Sequence, residues 1–361
     1  MTKTLNAQVH RSIFPSAMAA TLVFFSCIGV ADAQNQKFQF GVVGDTGYSK
    51  VGEQEFDRLI SATNKESLAF IVHVGDFEAD PRAYNRRGPD KVSMPCTDES
   101  FQRVLASFQK SANPFILTPG DNDWTDCHYL KARKVDPMDR LTKVRQMFFP
   151  EGRSLGQKTI AVDSQAKDAE FKQYRENLLW SFNGVTFVTL HIVGSNDNKG
   201  RTPDMDTEHA ARTQANLAWI RKAFADAKAK NSIGLVLLTQ ANPGFETHWT
   251  EGRLMTRYFQ NFRGVEPPKK PEPTGHDEIL DALAAEMETY KKPTAFVHGD
   301  THNFHVSKPL LSRKTKRFFE NFTRIETFGD PDTHWVRITV DPSNLELFRI
   351  EPEYVLENKA N

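Results

Sequence analysis

Charge bias is the first thing this sequence lacks. Across 361 residues, 46 Lys and Arg face 46 Asp and Glu, a formal net charge of zero. A general binder of nucleic acid or another polyanion needs a basic excess, so that class is excluded. Cysteine is scarce, and three residues cannot build a disulfide scaffold. Proline and glycine stand at 19 and 20, and 39% of residues are hydrophobic. Collagen-like and intrinsically disordered chains are therefore excluded as well. Beyond residue 33 no apolar run reaches the length that spans a bilayer. What is left is an ordinary globular composition, long enough for one large domain or two small ones.

The amino terminus reads as an address. Lys3 and Arg11 precede an apolar stretch from Phe14 to Val30, which runs into Ala31-Asp32-Ala33 and Gln34. A positive start, a short apolar segment and a small-x-small site make a secretory signal peptide. Cleavage after Ala33 and a secreted or periplasmic destination are expected. A membrane anchor competes with this reading, but Pro15, Ser16, Ser26 and Gly29 interrupt the run. A lipid-modified Cys27 is disfavoured by Phe24 and Phe25 before it. Lys3, Arg11 and Asp32 leave with residues 1–33, so 44 bases then face 45 acids. Cys27 leaves too. Two cysteines in an oxidising compartment predict a Cys96–Cys127 disulfide that closes about 30 residues and contributes about 3 kcal/mol.

Four short apolar runs end in the same dipeptide. Residues 38–43, 68–74, 115–119 and 294–298 lead into Gly44-Asp45, Gly75-Asp76, Gly120-Asp121 and Gly299-Asp300. Near-continuous apolar runs read as central strands covered on both faces. Helical patterns lie between them, at 53–63, 101–110, 206–230 and 276–290, so the fold class is α/β with crossover connections. Ligands in such sheets bind beyond the carboxyl ends of the strands. One Gly-Asp there is a plain turn. Four of them gather carboxylates that repel one another unless a cation joins them. One or two bound divalent ions are the simplest resolution.

The order of these blocks is similar to the calcineurin-like metallophosphoesterases, a family that includes the purple acid phosphatases. Asp45 in Gly-Asp-Thr-Gly, Asp76 in Gly-Asp-Phe, Gly120-Asp121-Asn122-Asp123 and Gly299-Asp300-Thr301-His302 carry the resemblance, which spans residues 38–305. The longer strings 118–127 and 298–302 resemble a secreted bacterial branch. The resemblance implies a four-layer αββα sandwich of two mixed sheets, formed by one domain over residues 36–355. Residues 318–328, 335–340 and 345–350 would complete its second sheet. It also implies two metals sharing a bridging Asp, with a metal-bound hydroxide attacking phosphorus.

Carried over residue by residue, Asp76 matches the bridging ligand, and Asp45 and His302 match ligands of the first metal. Asp121 stands where the family has a second-metal Asn, and Asp300 where it has a second-metal His. Asn122 replaces a His that assists the transition state. Gln240, at the end of the run 233–240, replaces a strand-end His. Gly47 and Ala79 also replace side chains the family commonly uses. A set of carboxylates, an amide and one imidazole favours Mn, Mg or Ca over Fe or Zn.

Three residues are candidates to assist catalysis: Asn122, His128 beside Cys127, and His248, eight residues after Gln240, where the resemblance to the purple acid phosphatases implies a substrate-side His that protonates a leaving alkoxide and a surface-loop histidine is the competing reading. His191 ends another run, where a core role competes with a ligand role. Asn196 and Asn198 follow it and are candidates to face the site. Arg82, Arg86, Arg87 and Lys91 fall in a Pro/Gly-rich stretch at 80–91, either a basic flap for phosphate or a solvated loop. The run 267–273 reads as a stiff linker.

The expected function is metal-dependent hydrolysis of small-molecule phosphomono- or phosphodiesters. A metal-binding extracytoplasmic protein without catalysis is the alternative, and a metal-free hydrolase with paired carboxylates a third.

Overall fold

The computed structural model of the chain describes residues 36–245 and 274–359, with residues 1, 2, 4 and 8 before them. The signal segment, His248 and the run 267–273 lie outside the described residues.

Strand β1 (Phe38–Val43) is followed by helix α1 (Lys50–Thr63), β2 (Ile71–His73), α2 (Pro81–Arg87), α3 (Asp98–Phe108), β3 (Phe115–Leu117) and α4 (Pro137–Phe148). After β4 (Asp163–Ser164), β5 (Leu178–Phe182) and β6 (Val185–Thr189) come α5 (Pro203–Ala229), β7 (Gly234–Leu238), α6 (Asp277–Met287) and β8 (Thr294–His298). Four strands close the chain: β9 (His305–Ser307), β10 (Phe322–Glu326), β11 (Trp335–Val340) and β12 (Phe348–Glu353).

Two mixed sheets result, in the orders β12-β11-β1-β2-β3 and β4-β5-β6-β7-β8-β10-β9. Strands β1, β2 and β3 are parallel, as are β6, β7, β8 and β10. Side-chain alternation shows how the layers stack. Val236 and Leu238 of β7 join Phe40, Phe70 and Phe187 between the sheets. Leu235 and Leu237 turn the other way, onto Ile220 and Phe224 of α5 and Leu280 and Leu283 of α6. Phe56 of α1 and Phe108 of α3 cover the far face of the first sheet through the His73 ring. The architecture is the expected four-layer αββα sandwich.

Two expectations need correction. Only the first of the three carboxyl-terminal segments joins the second sheet. Strand β11 pairs antiparallel with β1, Phe38 opposite Val340, and β12 extends that edge of the first sheet. An apolar alternation identifies a strand but carries no mark of which sheet will take it. The stretch after Asp80 is not an irregular loop, because the Asp80 carboxylate caps the N–H of Arg82, and Pro81 starts helix α2. Among the described residues no helix is long and apolar enough to cross a membrane.

Candidate active site

Each parallel strand that ends in Gly-Asp delivers its carboxylate to one place. Asp45, Asp76 and Asp300 have φ of +54°, +54° and +80°, and His302 has +61°. Left-handed backbone is costly away from glycine, and its repetition at four site positions marks a geometry held by the surrounding structure. Asp45, Asp76 and Asp121 are buried, with Asp300 and His302 partly exposed above them. Glycine is required at the fourth strand end, since a methyl group on Gly299 would lie 2.0 Å from an Asp45 oxygen.

The contacts are close. The Asp300 N–H donates to both oxygens of Asp45, at 3.1 and 3.0 Å, and His302 Nε2 lies 3.5 Å from Asp45 Oδ1. The Asn122 N–H donates to Asp76 Oδ1 at 3.0 Å. Asp300 Oδ2 accepts the Asn242 N–H at 3.0 Å. Burial and mutual repulsion raise the proton affinity of the whole cluster. Asp45 is held well above the ordinary carboxylate range by burial and Asp300, and Asp76 by burial and Asp121. Burial with Asp126 pushes Asp121 up to about 6, and burial with Asp121 pushes Asp300 up to about 7.

Gln240 is buried at the centre of this group, its amide set among the carboxylates. Its Nε2 donates toward Asp76, Asp121 and Asp300, at 3.2, 3.3 and 3.5 Å, while its Oε1 accepts the Gly194 N–H at 2.6 Å. The amide oxygen, the atom a metal would use, is turned away.

Tyr48 was not singled out by any motif. Its hydroxyl donates to Asp76 Oδ2 at 2.9 Å and lies 3.4 Å from Asp45 Oδ1. Asp123 is the other omission. Its carboxylate accepts the N–H groups of Gly120, Asp76, Phe77 and Glu78, locking the Asp76 and Asp121 turns together. The Cys96–Cys127 disulfide, with S–S 1.95 Å, braces the same turn, with both sulfurs beside the Asn122 carbonyl.

These residues open onto a crevice of about 240 Å³ lined by Tyr48, Asp76, Asp121, Asn122, Asp300 and His302, with Arg82, Arg86 and Arg87 of α2 on its wall. Arg82 is engaged by Asp80 and Asp126, at 2.9 and 3.3 Å. A larger cavity, about 690 Å³, lies behind the same loops between α1 and α3. Its lining holds Glu78 but no imidazole and none of the four clustered carboxylates, so the chemistry belongs to the smaller crevice.

The two sheets, the parallel strand ends and the position of the crevice invite comparison with solved structures. A dimetal phosphatase from Danio rerio matches at TM-score 0.50 and 10% identity, over 88% of this chain and 96% of that one. PhoD matches at TM-score 0.50 and 12% identity, over 88% of this chain and 69% of that one. The fold is of the metallophosphoesterase type. No protein-family model matches the chain, and no curated protein matches it. At these identities the likeness concerns the fold, and the chemistry has to be argued from the side chains.

The remaining candidates among the described residues are placed elsewhere. His128 lies on a short 3-10 turn, its Nδ1 2.8 Å from the Thr125 carbonyl and 3.1 Å from Arg201. His191 is a core residue: its Nδ1 meets Glu176 at 2.8 Å, and its ring packs on Trp124. Asn196 accepts the Gly275 N–H, and Asn198 accepts the Thr125 hydroxyl, so both fasten a loop. His248 lies outside the described residues.

Proposed function

We propose that this chain is a metal-dependent phosphoesterase that hydrolyses phosphomono- or phosphodiesters of small molecules. The observation that supports this most is the convergence of four carboxylates and one imidazole beneath a crevice walled by arginines. Buried carboxylates that repel one another are stable as anions only beside a cation, so the donor set fits a metal. Asp45, Asp76 and His302 would hold it, with Asp121 and Asp300 on the Gln240 side. A mostly oxygen donor set favours Mn, Mg or Ca. Such an ion supplies Lewis-acid polarisation of a phosphoryl oxygen and lowers the pKa of water. The protein's own residues do the rest. Arg86 and Arg87, exposed on the crevice wall, are placed to grip non-bridging phosphate oxygens in bidentate fashion. Asn122 lines the crevice and offers an amide N–H to the ester. The Cys96–Cys127 disulfide supports an oxidising, secreted or periplasmic setting.

A second reading is metal binding without turnover. It draws on Asn122, which cannot pass a proton as an imidazole can, and on the donor orientation of Gln240. One experiment separates the two. Protein stripped with chelator and reloaded with Mn²⁺, Mg²⁺, Ca²⁺, Zn²⁺ or Fe²⁺ is assayed on a panel of phosphomono- and phosphodiesters. Turnover with at least one ion is expected, and its complete loss in Asp76→Ala. Metal binding with no hydrolysis of any ester would leave the second reading.

A further inference from the structure

We infer that the site takes a single divalent cation, on the side of Asp45, Asp76 and His302, and that the Gln240 amide stands in for a second. The inference rests on the metal-binding reading above and narrows it to a count. Three carboxylates that could share a second ion, those of Asp76, Asp121 and Asp300, are all within 3.5 Å of one amide nitrogen. A cation at their meeting point would confront two N–H hydrogens, which repel it.

The amide is not free to turn its oxygen inward. Gln240 Oε1 is committed to the Gly194 N–H at 2.6 Å, and a flipped amide would set its NH₂ against that N–H, leaving two donors face to face. Nor can the side chain swing aside. Gly75, at φ +98°, is packed so tightly on Gln240 that a methyl group there would lie 2.6 Å from Gln240 Cβ. Gly194 itself begins a turn in which Ser195 and Asn196 are left-handed, and the Asp197 carboxylate holds that turn to the Val193 N–H at 3.0 Å and to Arg212. The amide is thus seated by packing, by a backbone donor and by a buried ion pair behind that donor. On the other side the side-chain donor between the carboxylates is the buried Tyr48 hydroxyl, 2.9 Å from Asp76 and 3.4 Å from Asp45, whose hydrogen can rotate and leave an oxygen lone pair facing an ion, as the NH₂ of an amide cannot.

The test uses chelator-stripped full-length protein titrated with Mn²⁺, read by calorimetry, by elemental analysis after desalting and by electron paramagnetic resonance. One tight equivalent per chain and the six-line spectrum of an isolated ion are expected. Gln240→His exchanges the amide for an imidazole that can ligate, and is expected to bind a second equivalent and show the broadened spectrum of coupled ions. If that variant fails to fold by circular dichroism, Gln240→Glu serves the same purpose. Two tight, coupled equivalents in the unaltered protein would overturn the inference while leaving the phosphoesterase proposal intact. A folded variant that still binds one ion would also overturn it, because Gln240 would not be what limits the count. Protein that binds no Mn²⁺ would sink both readings. Binding of one ion without hydrolysis of any ester would count against the function and uphold the count.

Discussion

Tyr48 lies three residues after Asp45, with its hydroxyl on Asp76 and its ring 5.4 Å from the His302 imidazole. It packs in a small cluster with Ala79 and Val92. Ala79 occupies the place, three residues after Asp76, where the resemblance leads one to expect Tyr or Asp. The small side chain there leaves room for a phenol arriving from the neighbouring strand end. Motif spacing could not show this, because the compensation runs between two loops rather than along one. Burial, then the charge of Asp76, pushes the phenol well above its ordinary range, so it stays a donor. Tyr48→Phe is therefore expected to keep the fold and the ring packing but to loosen Asp76. Cation affinity measured by calorimetry should fall about 10- to 100-fold, the usual effect of losing a residue that orients a ligand. An affinity unchanged within a factor of two would mean the hydroxyl is idle.

Among the elements, the strands that end in aspartate and four of the helices between them were legible because both signals are local. Gly-Asp after an apolar run and the 3.6-residue stripe need no partner to be recognised. The Gly194–Asp197 turn was not legible, because what holds it comes from one helix face. Arg212 of α5 is fully buried, donates to Asp197 at 2.5 Å and to the His191 carbonyl at 3.0 Å, and is paired with Glu208 at 2.7 Å. Nothing in the local sequence separates it from Lys222 or Lys228 on the same helix. Burial alone would raise the Asp197 carboxyl, but Arg212 and the His209 hydrogen bond, with the other groups around it, together outweigh burial and hold it far below the ordinary range. Removing the guanidinium would leave that buried charge with only the His209 ring and the Val193 N–H beside it. Arg212→Ala is expected to cost about 3–5 kcal/mol in chemical denaturation and, by freeing the turn under Gln240, to weaken cation binding in whatever protein still folds. A cost below about 1 kcal/mol, typical of exposed pairs, would show that the network does not pin the turn.

For the whole molecule, zero net charge hides an uneven distribution, and pH should expose it. In metal-free protein, burial and repulsion raise the folded-state affinities of Asp121 to about 6 and Asp300 to about 7, with Asp45 and Asp76 also raised, against ordinary values near 3.8. Above pH 4 the unfolded chain releases these protons while the folded chain keeps them, so the cluster's contribution to stability falls as pH rises, through about pH 6 for Asp121 and about pH 7 for Asp300. Glu176 works the other way: burial would raise it, but Arg145 and the His191 hydrogen bond outweigh burial and bring it down to about 2. Its contribution is complete above its ordinary value of 4.5 and is lost only as pH falls from there toward 2. Between pH 5 and 7.5 buried Asp123, raised to about 7, and Glu78, raised to about 8, act in the same direction as the cluster, while buried His73 and His298, brought down to about 3, act against it up to their ordinary 6.5. The melting temperature of stripped protein is therefore expected to fall less across that window in Asp300→Asn, which lacks one clustered carboxyl, than in the unaltered protein. Saturating Mn²⁺ should raise it more at pH 7.5 than at pH 5, since a cation stabilises the ionised cluster and competes with protons for it. An Asp300→Asn variant whose melting temperature changes with pH just as the unaltered protein's does would show that this carboxylate is not crowded in the folded state, and the case for a cation at the centre of the cluster would lose its physical basis.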